Sequence, residues 1–307
     1  MYALGVKKYN SDQKAEINDR FRMGSNTKTI TTYIAALLVK QGKINWNTKF
    51  FDLYPELRSQ SNTAYYDLTL QDLLTFRANL ISWTYTNESP TKKIIKGDEK
   101  MQRYNFAAWI LQQHPFEEKK LIYWSNPAYV LAGLMLEKAT QKNYEMLVTE
   151  LGKALSVSFE FGQPNYKKKS QTWGHDESLV PEKQGKNYKL NWLSSGGNIN
   201  VDLPGYVKFI QLQLQGLLGK SQLFTQQEFS FMHYGLPEFS FGWNWYTDSS
   251  NGYNYSFHKG NPGTFLTKVY ICKDIDKVFI FFMNVQSDSA EEALSVLFEE
   301  FSKRYRN

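Results

Sequence analysis

The chain has 307 residues, of which 42% are hydrophobic and 21% charged, with a formal net charge of +6 and one cysteine, Cys272. That length buries a sizeable core in one large domain or two small ones, and the composition reads as globular and soluble. A lone cysteine excludes an internal disulfide and any cysteine-rich metal site.

The positive charge is spread along the sequence, and its densest cluster, Lys167-Lys168-Lys169, has no glycine-rich loop or aromatic RNA-binding signature beside it. It reads as solvated surface with a lean toward polyanionic surroundings such as a cell wall, and no nucleic-acid partner is expected. His114, His175, His233 and His258 show no paired-ligand spacing, so neither a metal nor another cofactor is expected, and His175-Asp176-Glu177 reads as an exposed loop. No signal peptide is visible, and the longest apolar run, Val278–Val285, has the length of a strand rather than a membrane span.

Taken in order, Tyr2–Lys8 reads as a short strand followed by a polar turn at Asn10–Lys14. Ile30, Tyr33, Ile34, Leu37 and Leu38 recur at helical spacing and Gly42 follows the last apolar turn, which predicts a buried helix with Ser25 at its mouth. Asp52–Leu57 and Leu68–Thr75 read as short helical pieces, Ser82–Glu99 as irregular surface, and Met101–His114 as a helix ended by Pro115. Asn126 before Pro127 is a good start, as a side-chain cap, for a helix through Leu134 to about Thr140. Phe159–Gly185 is polar and aperiodic, the pattern of a long loop, and Ser194–Asn198 is a small-residue turn before a helix through Tyr206 and Leu214.

The last third changes character. Phe239–Thr247, Tyr253–His258, Thr264–Cys272 and Lys277–Val285 alternate as strands with short connections, which makes them antiparallel neighbours. A final helix from about Ser289 carries Glu291 and Glu292 in its first turn and ends in Lys303, Arg304 and Arg306, with Leu294, Leu297, Phe298 and Phe301 facing the sheet. The fold expected is α+β, an α/β sandwich: an antiparallel sheet flanked by helices, from about 1–20 and 239–307, plus a mostly helical region over about 25–238.

Chemistry concentrates at Phe21-Arg22-Met23-Gly24-Ser25-Asn26-Thr27-Lys28. Ser25 and Lys28 lie one helical turn apart on one face, beside the open N–H groups of a helix start. Acyl transfer needs those three things: a hydroxyl, a base to activate it, and donors for the oxyanion. A lysine serves as base only where desolvation leaves its amine neutral. The spacing alone is not decisive, since Ser11–Lys14, Ser89–Lys92 and Ser256–Lys259 share it, and the motif by itself favours Ser25 as a plain N-cap. Only Ser25 opens a long apolar helix.

Several segments in this order resemble the serine β-lactamase and penicillin-binding-protein superfamily, in particular its branch of class C β-lactamases, DD-peptidases, D-aminopeptidases and esterases. They are the Ser25–Lys28 stretch, Leu68–Thr75, Trp124-Ser125-Asn126, Ser195-Gly196-Gly197, Phe241-Gly242-Trp243 and His258-Lys259-Gly260-Asn261-Pro262-Gly263. The resemblance implies one β-lactamase/transpeptidase-like catalytic domain over 1–307 and a covalent acyl-enzyme at Ser25, with Lys28 taking or relaying its proton. It implies that Asn126 holds a substrate amide, that His258 and Gly260 edge the site, and that the backbone N–H groups of Ser25 and Asn261 form the oxyanion hole. Strand alternation puts His258 and Gly260 on one side and Lys259 on the other.

Two departures stand out. Trp124 sits where the family has a tyrosine, and an indole cannot accept a proton. The chain also begins after the helix and strand that usually come first, as a shortened N-terminus would. The activity implied is hydrolysis of an amide, peptide or ester, DD-peptidase- or esterase-like with weak β-lactamase action, on a small-molecule or peptide substrate of cell-wall origin. The alternative is a pseudoenzyme that binds a ligand or partner without turnover. Family resemblance implies the periplasm or cell surface, a cytoplasmic protein fits the sequence equally, and no oligomeric state follows.

Overall fold

The computed structural model describes residues 1–83, 95–166, 168–183, 192–247 and 252–305. Ser89 and Lys92 of one Ser-x-x-Lys pair, and Lys167, lie outside them. Two compact units divide the chain: a sheet unit of residues 1–26, 152–186 and 198–307, and a helical unit of residues 27–151 and 187–197.

The helical unit is built around two apolar helices. α1 (Thr27–Lys40) is buried on almost every face and stops where predicted, at Gly42, whose φ of +68° suits the left-handed residue after a helix. Lys43 N–H returns to the Leu38 carbonyl at 2.9 Å to close that end. Around it stand α2 (Phe50–Leu53), α3 (Pro55–Arg58), α4 (Leu70–Leu74), α5 (Glu99–Ile110), the equally apolar α6 (Asn126–Thr140), α7 (Tyr144–Leu155) and the single turn α8 (Ser194–Gly197). α4 begins in a capping box, Thr69 with Asp72.

Two features fix how these helices pack. α6 meets α8 at Gly133, where a Cβ would stand 2.6 Å from Ser195 Oγ, so only a glycine admits the approach. Arg103 on α5 is fully buried and bonds Glu137 on α6 at 2.5 Å and Glu145 on α7 at 2.8 Å. A buried cation held by two carboxylates ties three helices together, and removing one partner leaves buried charge uncompensated.

In the sheet unit, β4 (Phe239–Ser240), β5 (Trp243–Thr247), β6 (Asn254–Gly260), β7 (Leu266–Cys272) and β8 (Lys277–Met283) form one antiparallel sheet in chain order, as the short connections predict, except that the single strand expected over Phe239–Thr247 is a hairpin of β4 and β5 that turns at Phe241 and Gly242. β7, between β6 and β8, is buried throughout. α11 (Asp288–Arg304) covers one face, with Phe298 stacked on Tyr270 at 3.7 Å between ring centroids. Leu294 and Phe298 are buried as expected, whereas Leu297 and Phe301 remain partly exposed. α9 (Leu203–Leu217) and α10 (Gln226–Tyr234) lie on the other face, where Tyr206 meets Phe282 and His233 meets Ser256.

A second, small sheet has the order β1 (Arg20–Arg22), β3 (Ile199–Asp202), β2 (Glu160–Phe161), with Phe21 opposite Val201. It corrects the reading of Phe159–Gly185 as loop alone. Tyr2–Lys8 forms no strand: Val6 bridges Lys14 in an isolated turn and Tyr2 is 92% exposed. His175 is likewise no exposed loop residue. It is buried, donates from Nδ1 to the Asn284 carbonyl at 2.7 Å and accepts the Tyr9 N–H on Nε2 at 3.0 Å, pinning the N-terminal turn to the end of β8. Among the described residues no helix is long and apolar enough to cross a membrane, and no cluster of His, Cys, Asp or Glu could hold a metal ion.

Candidate active site

In the helical unit the site residue that dominates is Lys28, on the first turn of α1 and 2% exposed. Its Nζ donates to Asn126 Oδ1 at 2.8 Å and to the Gly196 carbonyl at 2.7 Å, and it lies 5.4 Å from the centre of the Tyr129 ring. Burial penalises the ammonium and brings its pKa down to about 7. A neutral amine carries two N–H bonds and one lone pair.

Asn126 differs from expectation in one respect. The cap position of α6 belongs to Ser125, whose hydroxyl instead donates to the Ile81 carbonyl at 2.9 Å, and Asn126 is the first helical residue with Pro127 second. Freed from capping, the Asn126 amide takes Lys28 on its oxygen and gives one N–H to the Trp83 carbonyl at 3.2 Å.

Trp124 is 53% exposed and rests on Phe76, ring centroids 5.2 Å apart. Tyr123 does not replace the missing phenol: its ring stacks on Phe116 at 5.5 Å and its oxygen accepts the Lys120 N–H at 2.9 Å. Tyr129 donates its hydroxyl to the Leu74 carbonyl at 2.7 Å, and burial pushes its pKa well above the ordinary phenol range. Held as a neutral donor, Tyr129 is no ready proton acceptor.

In the sheet unit, Ser25 sits in a 3-10 turn, Gly24–Asn26, that runs directly into the next helix. Backbone contact holds this turn against β6. Gly24 has φ +50°, and a Cβ there would stand 2.7 Å from the Asn261 nitrogen; a Cβ on Gly260 would overlap the Met23 carbonyl oxygen. Thr267 Oγ1 donates to that same carbonyl at 3.0 Å, and Asn26 Nδ2 donates to Thr267 Oγ1 at 2.7 Å. Asn261 itself is exposed and closes a tight turn by accepting the Gly263 N–H at 2.8 Å.

His258 and Gly260 do share one face of β6, and Lys259 takes the other, paired with Glu291 of α11 at 3.0 Å. Lys259 is therefore not a displaced site lysine. His258 is 4% exposed and meets Phe239 edge-on with ring centroids 6.1 Å apart. Sequence reasoning missed Thr267 and the Met23 carbonyl. It also missed Arg22, which is buried and reaches Asn198 Oδ1 at 3.1 Å and Glu182 at 3.4 Å. An arginine and a glycine flanking the nucleophile stretch were the available signals.

The fold is that of penicillin-binding-protein homologues and class C β-lactamases. An octameric penicillin-binding protein homologue from Pyrococcus abyssi matches with a TM-score of 0.76 at 16% identity, over 96% of this chain and 70% of that one. A class C β-lactamase from Rhodobacter sphaeroides matches at 0.73 and 16%, over 93% and 86%. A D-stereospecific amidohydrolase from a Streptomyces species matches at 0.66 and 18%, over 87% and 82%.

The chain belongs to the Beta-lactamase family, whose model matches residues 2–298. In sequence it is 26% identical over 183 residues to Protein flp of Staphylococcus aureus strain NCTC 8325, a match that takes in 56% of this chain and 34% of that protein. It thus spans about a third of the length of the curated relatives it matches.

Proposed function

We propose that the protein is a serine hydrolase that works through an acyl-enzyme at Ser25 with the amine of Lys28 as its base. The observation that carries this reading is Lys28 itself, buried, held by two acceptors and with a pKa of about 7, so that a large share of it is neutral near neutral pH. In the reaction the Ser25 oxygen attacks the acyl carbon while its proton passes to Lys28 Nζ. The oxyanion takes hydrogen bonds from the backbone N–H groups of Ser25 and Asn261. When the tetrahedral species collapses, the bond to the leaving group breaks and the Lys28 ammonium returns the proton to it. Water then attacks the ester carbonyl with the same amine as base, releasing the acid and restoring Ser25.

The second N–H of the Asn126 amide serves the substrate carbonyl. Amides, peptides and esters all fit this chemistry, with penicillins as weak substrates; membership of the Beta-lactamase family supports a peptide substrate of cell-wall origin and an exported protein. His258 gives the site edge a buried imidazole where a fixed cation would otherwise hold a substrate carboxylate, which favours peptidase, amidase or esterase action over efficient β-lactam hydrolysis. One observation favours a second reading, a ligand-binding pseudoenzyme: Trp124 is turned out to solvent on Phe76, and an indole takes no proton.

Intact mass and peptide mapping separate the two. Incubation with a fluorophosphonate, and separately with a penicillin, is expected to place adduct on Ser25 in the wild type and none in Ser25→Ala. Folded wild-type protein that stays unmodified by both reagents would move the assignment to the pseudoenzyme.

A further inference from the structure

Behind Lys28, in the helical unit, runs a chain of buried polar groups for which the reaction above has no use. Thr31, one turn further along α1, has its Oγ1 2.6 Å from the Ser195 carbonyl and 2.6 Å from the Tyr144 hydroxyl. A hydroxyl has one proton to give. Since that of Thr31 goes to the Ser195 carbonyl, Tyr144 is the donor to Thr31, and the two bonds run in one direction and strengthen each other. Tyr144 is anchored in turn: its backbone N–H donates to Glu137 Oε1 at 2.7 Å, the oxygen that also receives Arg103. On the other side of the α8 turn, Ser195 Oγ donates to the Tyr129 carbonyl at 2.7 Å.

The carbonyl this chain grips is one residue from the carbonyl that holds Lys28. Ser195 and Gly196 belong to the same single-turn helix, and the N–H groups of Gly196 and Gly197 both return to the Leu193 carbonyl at 2.9 Å. Two consecutive glycines leave that turn little rigidity of its own. What fixes the direction of the Gly196 carbonyl is therefore the grip on Ser195. The groups in the helical unit that meet the amine are the Asn126 side chain and Tyr129 ring of α6 and the Gly196 carbonyl of α8; the ionic cluster of Arg103, Glu137 and Glu145 stands one hydrogen-bonded step further out, behind Tyr144.

We propose that Thr31 and Tyr144 are positioning residues that aim the Lys28 amine by fixing the Ser195–Gly196 turn, so that an ion cluster in the helix core sets the geometry of the base. This rests on the reading of Lys28 as the base. It gives one of the four buried threonines of α1 a role. It also makes the rate sensitive to a hydroxyl that touches neither substrate nor base.

The test compares Thr31→Val, Thr31→Ser and Tyr144→Phe for the pH dependence of aryl-ester hydrolysis. Tyr54→Phe is the comparator: it removes a buried hydroxyl that bonds the Leu134 carbonyl at 2.9 Å and no carbonyl of the Ser195–Gly196 turn. Thr31→Val is expected to lose about tenfold in kcat with KM within about twofold, because a base held off its line is slow without weakening binding. Thr31→Ser restores the rate, Tyr144→Phe falls between, and Tyr54→Phe lowers only the melting temperature.

A second arm follows the Lys28 ammonium by NMR in protein labelled with nitrogen-15 lysine. There Thr31→Val is expected to move the titration midpoint to lower pH, since a carbonyl that favours the charged form has been loosened. A Thr31→Val protein that folds, keeps its kcat and leaves the midpoint unmoved or raised would overturn the proposal, as would a loss of rate that serine does not repair. If wild type hydrolyses nothing and Ser25 takes no adduct, the hydrolase reading falls by itself, and the NMR arm still decides whether Thr31 sets the amine.

Discussion

The two units hold their parts of the chemistry by opposite means. In the helical unit Lys28 is held by hydrogen bonds to a polar cradle that runs from the half-buried Asn126 and the buried Gly196 back to the buried Thr31, Tyr144 and Arg103. In the sheet unit the Ser25 turn is held mainly by shape, through glycines whose missing side chains let Gly24 approach Asn261 and Gly260 approach Met23. The first arrangement tunes a proton affinity. The second fixes where backbone N–H groups point. Mutation of Lys28 should therefore act on rate, and mutation of the buried ion cluster or of the glycines on folding or turn geometry.

The sharpest way to break that contrast is to remove the amine. Lys28→Met keeps most of the side-chain volume, and acylation of Ser25 is expected to fall about 10²- to 10⁴-fold, the usual worth of acid–base assistance, with the protein still folded. A loss under about tenfold, read by stopped-flow or mass labelling, would show that the base lies elsewhere. Removing the ion that anchors the cradle tests the opposite prediction. Arg103→Met strands the buried carboxylates and is expected to destabilise the protein by about 4 kcal/mol, measured by urea unfolding.

On the sheet side Gly260→Ala puts a methyl into the Met23 carbonyl. The expected cost is about 3 kcal/mol with a misplaced turn, read as a lower melting temperature together with slower acylation. The smallest effect expected is that of Trp124→Tyr. If the amine alone is the base, returning a phenol changes acylation by less than about tenfold; a much larger gain would mean that the indole has crippled an older site.

Much of this architecture is legible in the sequence because it is local. The apolar repeat of α1 with Gly42 behind it, the Thr69–Asp72 box and the run of hairpins from Phe239 to Met283 all follow from neighbours a few residues apart. Even the side of β6 that carries His258 and Gly260 is fixed by alternation alone. What stays hidden depends on partners far away in the chain. β1 acquires its strand from Val201, 180 positions after Phe21, and His175 is buried because Tyr9 and Asn284 come to it.

The site divides in the same way. Ser25 and Lys28 become candidates through spacing and setting taken together. Asn126 was recognisable as a helix start, but the side chain that looked like a cap is the acceptor for Lys28, and Ser125 takes the cap position. Thr31 and Tyr144 gave no signal, since a threonine in a helix and a tyrosine at a helix start are ordinary until a carbonyl 164 residues away meets the first of them.

The measurement that bears most directly on the account is the pH dependence of adduct formation at Ser25. Burial lowers the Lys28 pKa to about 7, from about 10.5 for an ordinary lysine. The base is then protonated and idle below that value and neutral above it, so the labelling rate should rise with pH through a single limb near 7 and level off by about 9. The same displacement means the folded protein binds fewer protons than the unfolded chain between about 7 and 10.5, so stability should rise with pH across that window as far as Lys28 is concerned. A limb near 7 that disappears in Lys28→Met is the predicted result. A rate that climbs steadily to pH 10, or a limb that survives in Lys28→Met, would contradict it.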